Sequence, residues 1–576
     1  MSDQLWLKNY PVRWNLKYPE ISIYRYLKEN TAKCNDLIAL VFFEKEITFR
    51  KMHDNIDSFA AALYDLGVRK GDRVAIMTPN CPEFVYTYYA CMKLGAIEVQ
   101  IDPLYMPSEL EFVLKDSEAK VVVVADEFIN SLQAVHDKVP TEHVIVSRFS
   151  GVELNGDNPW FDELLEFDEL LEKYPPDSPE AEIDPREDVA VLQYTGGTTG
   201  TTKAAMLTHY NLISNVVQKK EWFSDLAREK FSNGLTQQYG VAILPLFQIT
   251  GLNFCLNLAL TYPMGMILLP FFDIEYIFSL IDRYRPAFFP GVPTIFSAIA
   301  DHPDANNHNL KAVDIWRTGG APMPVKLIEH TERRIGVKII EGYGLTEASP
   351  TTHSNPFRGI RKFGSVGLPY PDTECRIVNP ENRSEEVPVG EEGELIIKGP
   401  QIMKGYWKNP EDTKEILRDG WLYTRDIARM DESGFFYIVD REKDIVIIGG
   451  INVYPREVDE VFFKHPKVSE VVSTGVPDDF YGEALKTYVV LKEGDSATEE
   501  ELLDYAAQKL AVYKLPRVIE FRQDLPKSNA GKILRRVLVE SENNKVSSDR
   551  EKIAVTLSDW GEDVMSLDDF SDDFDM

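Results

Sequence analysis

The segment Tyr194-Thr195-Gly196-Gly197-Thr198-Thr199-Gly200-Thr201-Thr202-Lys203 sets three glycines and five threonines ahead of a lysine. Glycines let the backbone curl until its N–H groups converge. The hydroxyls add donors and Lys203 adds a positive charge, a set suited to polyphosphate oxygens. The spacing is not that of a Walker A loop, which places Gly before the Lys and Ser or Thr after it. Here Thr202 precedes Lys203 and Ala204 follows, which disfavours a P-loop kinase or ATPase. A second cluster is Glu341-Gly342-Tyr343-Gly344-Leu345-Thr346-Glu347. A ring between two glycines can stack on a base, while Thr346 and Glu347 could face a phosphate and its Mg²⁺, an ion that uses one or two carboxylates plus phosphate oxygens. In a third cluster, Gly420-Trp421-Leu422-Tyr423-Thr424-Arg425-Asp426, the terminal carboxylate could accept from both hydroxyls of a ribose. Asp440-Arg441-Glu442-Lys443-Asp444 follows it. In a fourth, Pro526-Lys527-Ser528-Asn529-Ala530-Gly531-Lys532, the glycine permits a turn that presents Lys532.

These clusters need elements to hold them. A strand is predicted over 188–193, before the first cluster, and a helix around 207–217 after it. Short apolar runs at 73–77 and 120–124 read as strands covered on both faces, as in parallel sheets. Helices are predicted over 83–94, with Gly95 as a stop, over 279–285, and from Pro293 onward. Strands alternating with helices imply βαβ units and doubly wound sheets. Residues 172–188 are acidic and proline-rich and read as a surface connection. A strand at 435–439 ends in charges near 440–444, where a second break is expected. Beyond it a helix at 457–463 and strands at 468–476 and 487–491 predict a smaller α+β domain. The fold class is therefore α/β: a large N-terminal domain of several subdomains over 1–440, a small mobile α+β domain over 441–540, and a weakly ordered acidic tail over 541–576.

The 576 residues carry 62 Lys+Arg against 93 Asp+Glu, a formal charge of −31. The last 36 residues supply −8 of it, leaving −23 on the other 540. A chain this acidic is not built for sequence-independent nucleic-acid binding, which depends on neutralising phosphates. Five scattered cysteines without a C-x-x-C pair speak against a disulfide framework or a Cys-rich zinc site, and suit a reducing compartment. The N-terminus has no apolar h-region like that of a signal peptide. Residues 231–272 hold no Asp, Glu, Lys or Arg, yet Pro245, Gln248, Gly251, Asn253, Asn257, Pro263 and Gly265 interrupt them. They are expected to form buried strands and a buried helix, not a membrane span.

In this order and spacing the four clusters resemble those of the adenylate-forming superfamily: acyl-CoA synthetases, adenylation domains of peptide synthetases, and luciferases. The resemblance runs from residue 47 to residue 535. Thr318-Gly319-Gly320-Ala321-Pro322 and 475–483 add to it. It implies ATP, Mg²⁺ and coenzyme A as reactants and an active site between a large and a mobile domain. By resemblance, Thr195, Gly196, Gly197, Thr198, Thr199, Gly200 and Lys203 form the phosphate loop. Gly320, Ala321 and Tyr343 form the adenine site, and Pro322, Glu341, Gly342 and Gly344 are further cofactor-binding positions. Thr346 contacts the α-phosphate and Glu347 binds Mg²⁺. Asp426 and Arg441 hold the ribose, Lys443 is the hinge, and Gly449 and Gly450 line the pantetheine tunnel. Lys532 bridges the substrate carboxylate and the α-phosphate. The pattern is broken at Gly196, where Ser is common, at Thr202, where Pro is common, at Ala530, where Ser or Thr is common, and at Gln248, where many relatives carry His. An amide can hydrogen-bond there but cannot titrate near neutral pH.

The implied reaction joins a carboxylic acid to AMP, releasing pyrophosphate, and then passes the acyl group to CoA. Amino-acid substrates are disfavoured: 245–257 offers Gln248, Thr250 and Asn253 but no carboxylate to pair an ammonium. Acetate-specific relatives carry Trp where Gly344 stands. A bare glycine is expected to leave room for a longer chain, with Leu252, Phe254, Leu256 and Leu258 as candidate lining. A medium- or long-chain fatty acid is the leading substrate. A cinnamate-type acid, or loading of a carrier protein, is the alternative. The expected partners are small molecules, with a homodimer left open, no nucleic acid and no transmembrane segment, in the cytoplasm.

Overall fold

The computed structural model describes residues 4–149, 160, 163–195, 202–231, 234–441, 444–448, 451–478, 482–510, 512–527, 531, 533–535 and 537–542. The chain divides into two compact units: Met1–Glu442 with Asn529–Lys532, and Lys443–Ser528 with Ile533–Met576.

Three sheets build the first unit. The eight-stranded sheet runs Gly405–Tyr406, Lys203–Thr208, Val189–Thr195, Ile97–Gln100, Arg73–Met77, Val121–Ala125, His143–Ser147, Leu165–Glu166. Its pairings are parallel from Val189–Thr195 onward. Every residue of Val121–Ala125 is buried, which is why that run carries no polar alternation. The helix Pro82–Leu94 starts with Pro in its first turn and stops at Gly95, whose φ of +69° makes the left-handed cap.

The nine-stranded sheet has a parallel centre formed by Ile339–Gly344, Ile315–Thr318, Phe288–Gly291, Tyr239–Ala242, Gly265–Leu268 and Ile38–Phe42. The third sheet, five-stranded and antiparallel, carries Trp421–Met430 and Phe436–Arg441. The uncharged segment divides into the strand Tyr239–Ala242, a π-helical turn Thr250–Leu256, the helix Asn257–Thr261 and the strand Gly265–Leu268. Among the described residues, no helix is long and apolar enough to cross a membrane.

Buried amides fasten the first two sheets together. Asn80 Nδ2 donates to the carbonyls of Ala242 (2.8 Å), Leu244 (3.1 Å) and Leu269 (3.0 Å), and Asn80 Oδ1 accepts from Leu246 N (2.7 Å). Gln100 and Gln193 donate to the carbonyls of Leu246 and Phe247. The loop carrying Gln248 is thus held from the neighbouring sheet. Replacing Asn80 by Ala would strand several buried backbone groups. The expected loss is about 3 kcal/mol, read as a lower denaturation midpoint. An unchanged midpoint would show that water replaces the amide at no cost.

The second unit has its own sheet, Ile451–Val453, Val446–Ile448, Gly482–Leu491, Val468–Asp478, with Val518–Phe521 parallel to Gly482–Leu491. The helices Pro455–Phe463 and Glu499–Ala507 supply Val458, Phe462, Leu502 and Ala506, which pack with Leu485 and Val489. Cys34, Cys81, Cys91, Cys255 and Cys375 are all free and buried.

Candidate active site

The first cluster is borne by a hairpin. Val189–Thr195 and Lys203–Thr208 pair antiparallel, with Thr195 opposite Lys203. Sequence reasoning ran the loop directly into a helix. The chain instead inserts this strand, and the helix His209–Trp222 follows it, capped by Thr208 with Asn211 in a capping box. Gly196, Gly197, Thr198, Thr199 and Gly200 lie outside the described residues. The stem they spring from is defined. Thr195 Oγ1 donates to the Lys203 carbonyl at 3.3 Å. Lys203 Nζ lies 2.6 Å from Asp412 Oδ2 and 5.5 Å from the centre of the Tyr406 ring. The hydrogen bond from Lys203 holds the Asp412 carboxyl below the usual range.

Tyr406 joins this stem to the second cluster. Its hydroxyl donates to Glu347 Oε1 at 2.7 Å. Burial first, and the Glu347 charge second, push that phenol well above its ordinary range, so it stays a donor. The Glu347 carbonyl accepts from Met403 N at 2.8 Å. The loop holding Met403 is in turn tied to the capping residue: Asn211 Nδ2 donates to the carbonyls of Pro400 and Ile402. Thr346 opens the short 3-10 turn Thr346–Ala348. The donor set suits Mg²⁺: one half-buried carboxylate oriented by Tyr406 through a single oxygen, beside the stem of a candidate phosphate loop. Sequence reasoning missed Tyr406 and Asp412. The run Gly405-Tyr406-Trp407 has the aromatic-after-glycine form noted at Tyr343, and that was the available signal.

Tyr343 and Asp426 also meet. The Tyr343 hydroxyl donates to Asp426 Oδ2, and Arg441 Nε lies 3.2 Å from Asp426 Oδ1. Asp426 and Arg441 face each other across Trp421–Met430 and Phe436–Arg441. Asp426 is 3% exposed, so its charge is compensated by these two partners rather than by solvent. Gly320 adopts φ +79° just beyond Ile315–Thr318 and has open space where a Cβ would lie. Ala321 is half-buried, Pro322 exposed and Glu341 buried. Thr318 pairs with Glu341 in parallel register, so the Gly320–Pro322 turn and Gly342–Tyr343 occupy the C-terminal edge of adjacent strands, where open α/β sheets bind ligands. At Gly344 a Cβ would lie 2.0 Å from the Pro350 carbonyl oxygen. Close approach of the Pro350–Thr351 backbone therefore requires glycine there, a reason separate from the pocket depth predicted from sequence.

Leu252, Phe254, Leu256 and Leu258 are all buried, and Gln248 is half-buried. The structure thus assembles Lys203 with Glu347, Tyr343 with Asp426 and Arg441, and the glycine turn at 320. Lys443, Gly449, Gly450 and Lys532 lie outside the described residues, as do 543–576 of the acidic tail.

The AMP-binding enzyme family model matches residues 27–407, and the AMP-binding enzyme C-terminal domain model matches 457–532. The chain is 40% identical to a long-chain-fatty-acid–CoA ligase of Bacillus subtilis (strain 168), covering 94% of this chain and 98% of that protein. It resembles the ATP-bound structure of MatB from Rhodopseudomonas palustris, with a TM-score of 0.80 and 28% identity over 90% of this chain and 99% of that one. It also resembles the anthranilate CoA ligase AuaEII in complex with anthranoyl-AMP, with a TM-score of 0.81 and 28% identity over 91% of this chain and 98% of that one. With family models matching both its larger and its smaller part, and a relative 40% identical over nearly its whole length, the chain belongs to the AMP-binding enzyme family, within the adenylate-forming superfamily.

Proposed function

We propose that this protein is an AMP-forming acyl-CoA synthetase that activates a medium- or long-chain fatty acid. The observation that supports the chemistry is the junction of Lys203, Tyr406 and Glu347, a cation and an oriented carboxylate beside the stem of the candidate phosphate loop. The fatty-acid substrate is supported by the buried apolar side chains of 252–258 and by the named activity of the Bacillus relative.

In the first half-reaction the acid's carboxylate oxygen attacks the α-phosphorus of ATP and pyrophosphate leaves. Two anions must approach, so Lys532 bridges carboxylate and α-phosphate while Thr346 contacts the same phosphate. Glu347 is the residue that would hold Mg²⁺, which when bound neutralises phosphate charge. Tyr343 stacks on the adenine, and Asp426 accepts from the ribose hydroxyls. In the second half-reaction the thiol of CoA attacks the acyl carbonyl and AMP departs. Rotation about Lys443 withdraws Lys532 and brings in the turn at Gly449 and Gly450. Buried free cysteines support a cytoplasmic setting. The reading extends to a homodimer, which sedimentation velocity would report.

The test is AMP formation with ATP, Mg²⁺ and acids from acetate to palmitate plus cinnamate, with and without CoA. CoA-dependent turnover rising with chain length is the expected result. Turnover with cinnamate alone would make the aryl-acid ligase the better reading. CoA-independent turnover, or none with any fatty acid, would reject the synthetase.

A further inference from the structure

Two cations lie buried together beside the apolar wall. Lys219, on the helix His209–Trp222, has no exposed surface, and its Nζ donates to the Asn253 carbonyl at 2.8 Å. Arg317, on the strand Ile315–Thr318, is 5% exposed. Both reach the same ring: Arg317 Cζ is 4.3 Å and Lys219 Nζ 5.4 Å from the centre of Phe254. Phe254 belongs to the π-helical turn Thr250–Leu256, a distortion often found at functional sites. Among the described residues neither cation forms an ion pair, and Arg317 Nη1 has no hydrogen-bond partner. The charged neighbourhood offers no relief. Burial, then the Arg317 charge, hold the Lys219 ammonium well below its usual range, and the groups opposing that shift for the two cations are the neutral Cys255 thiol and Tyr370 phenol. Buried charges of one sign are retained where something of the other sign pairs with them.

We propose that Arg317 and Lys219 form a carboxylate subsite in the acyl pocket, so that the preferred substrate is an acid bearing a second carboxylate on its acyl part. The inference rests on the reading of the protein as an acid-activating ligase and narrows its substrate class. Arg317 supplies a planar fork with an unpartnered N–H, and Lys219 adds a second nitrogen donor that a carboxylate beside it would favour as the ammonium. The Phe254 ring that both approach would give the methylene chain an apolar surface. Arg317 Nη2 also fills the space above Gly342, lying 2.0 Å from where a Cβ would stand, so the guanidinium is packed against that glycine rather than turned to solvent. A carboxylate at this point could instead be the one that reacts. The two sources differ in what a chain with a single carboxylate can do.

The experiment compares matched pairs of acids, monocarboxylic and α,ω-dicarboxylic, from six to sixteen carbons, by CoA-thioester formation. At the best-fitting length the dicarboxylic acid is expected to show kcat/KM at least ~10-fold above its partner, since a site built to bond a polar group rejects the analogue that lacks it. Arg317→Met and Lys219→Met should each swing that ratio toward the monocarboxylic acid by roughly 100-fold, with Arg317→Lys partly restoring it. Monocarboxylic acids preferred at every length, or a ratio unmoved by either substitution, would overturn the subsite and leave the ligase standing. If no acid is turned over, the ligase reading fails, and calorimetric binding of the same pairs to the unmodified protein decides the subsite separately. Equal affinity within each pair overturns it. The same comparison of acids on the unmodified protein serves if the variants do not fold.

Discussion

Replacing Glu347 by Gln should reduce pyrophosphate release by roughly 10²–10³-fold, as expected when a group stabilising phosphate charge is neutralised. The substitution is chosen for its shape. The amide oxygen can still accept from Tyr406, so the bond that positions the side chain survives while the charge is removed. Met403 N bonds the backbone carbonyl of residue 347 and is indifferent to the change. Thermal stability should therefore hold while the Mg²⁺ concentration for half-maximal rate rises. A lost rate with an unshifted Mg²⁺ dependence would show that Glu347 serves the fold and not the metal. Conversion of supplied acyl-adenylate to thioester should be much less affected, because the pyrophosphate and its metal have gone by then.

Lys532→Ala tests the other end of the reaction. By the proposed role, adenylation should fall by roughly 10²–10³-fold, the cost of removing one contact to developing charge. Thioester formation from supplied acyl-adenylate should stay near the parent rate, since in the proposed cycle that step proceeds with Lys532 withdrawn. Equal loss of both half-reactions in a folded variant would show that one arrangement serves both steps. The pair of variants is more informative than either alone. Glu347 sits in the larger unit by geometry, whereas Lys532 is assigned by its place in the motif.

The parts legible in the sequence were those whose burial is written locally. The run at 121–125 is apolar throughout because both faces of its strand are covered. The helix Pro82–Leu94 announces itself by Pro at its start and Gly at its stop. The helix predicted over 279–285 begins at Ile274, where Asp273 caps it by accepting from Tyr276 N, a signal present in the sequence and not used. Lys203–Thr208 was missed for a different reason. Lys-Ala-Ala-Met-Leu-Thr has no strand alternation, and the strand exists because Val189–Thr195 and Gly405–Tyr406 pair with it on either side. Long-range pairing also hid Tyr406, 59 residues from the carboxylate it orients. Nothing local in the sequence marks Arg317 and Lys219 as buried cations; packing around Phe254 does.

The hydrogen bond from Tyr343 to Asp426 bears on how tightly nucleotide can be held. The proposed ribose acceptor is not idle in the free protein; it already carries a phenol. A ribose hydroxyl that takes this oxygen displaces a partner of similar strength, so the net gain is the small difference between two comparable bonds. Affinity for the sugar is thereby capped, while the phenol keeps a buried carboxylate satisfied between turnovers. An enzyme that must release AMP after every cycle benefits from such an internal competitor, because the departing product is replaced by the protein's own side chain rather than by nothing.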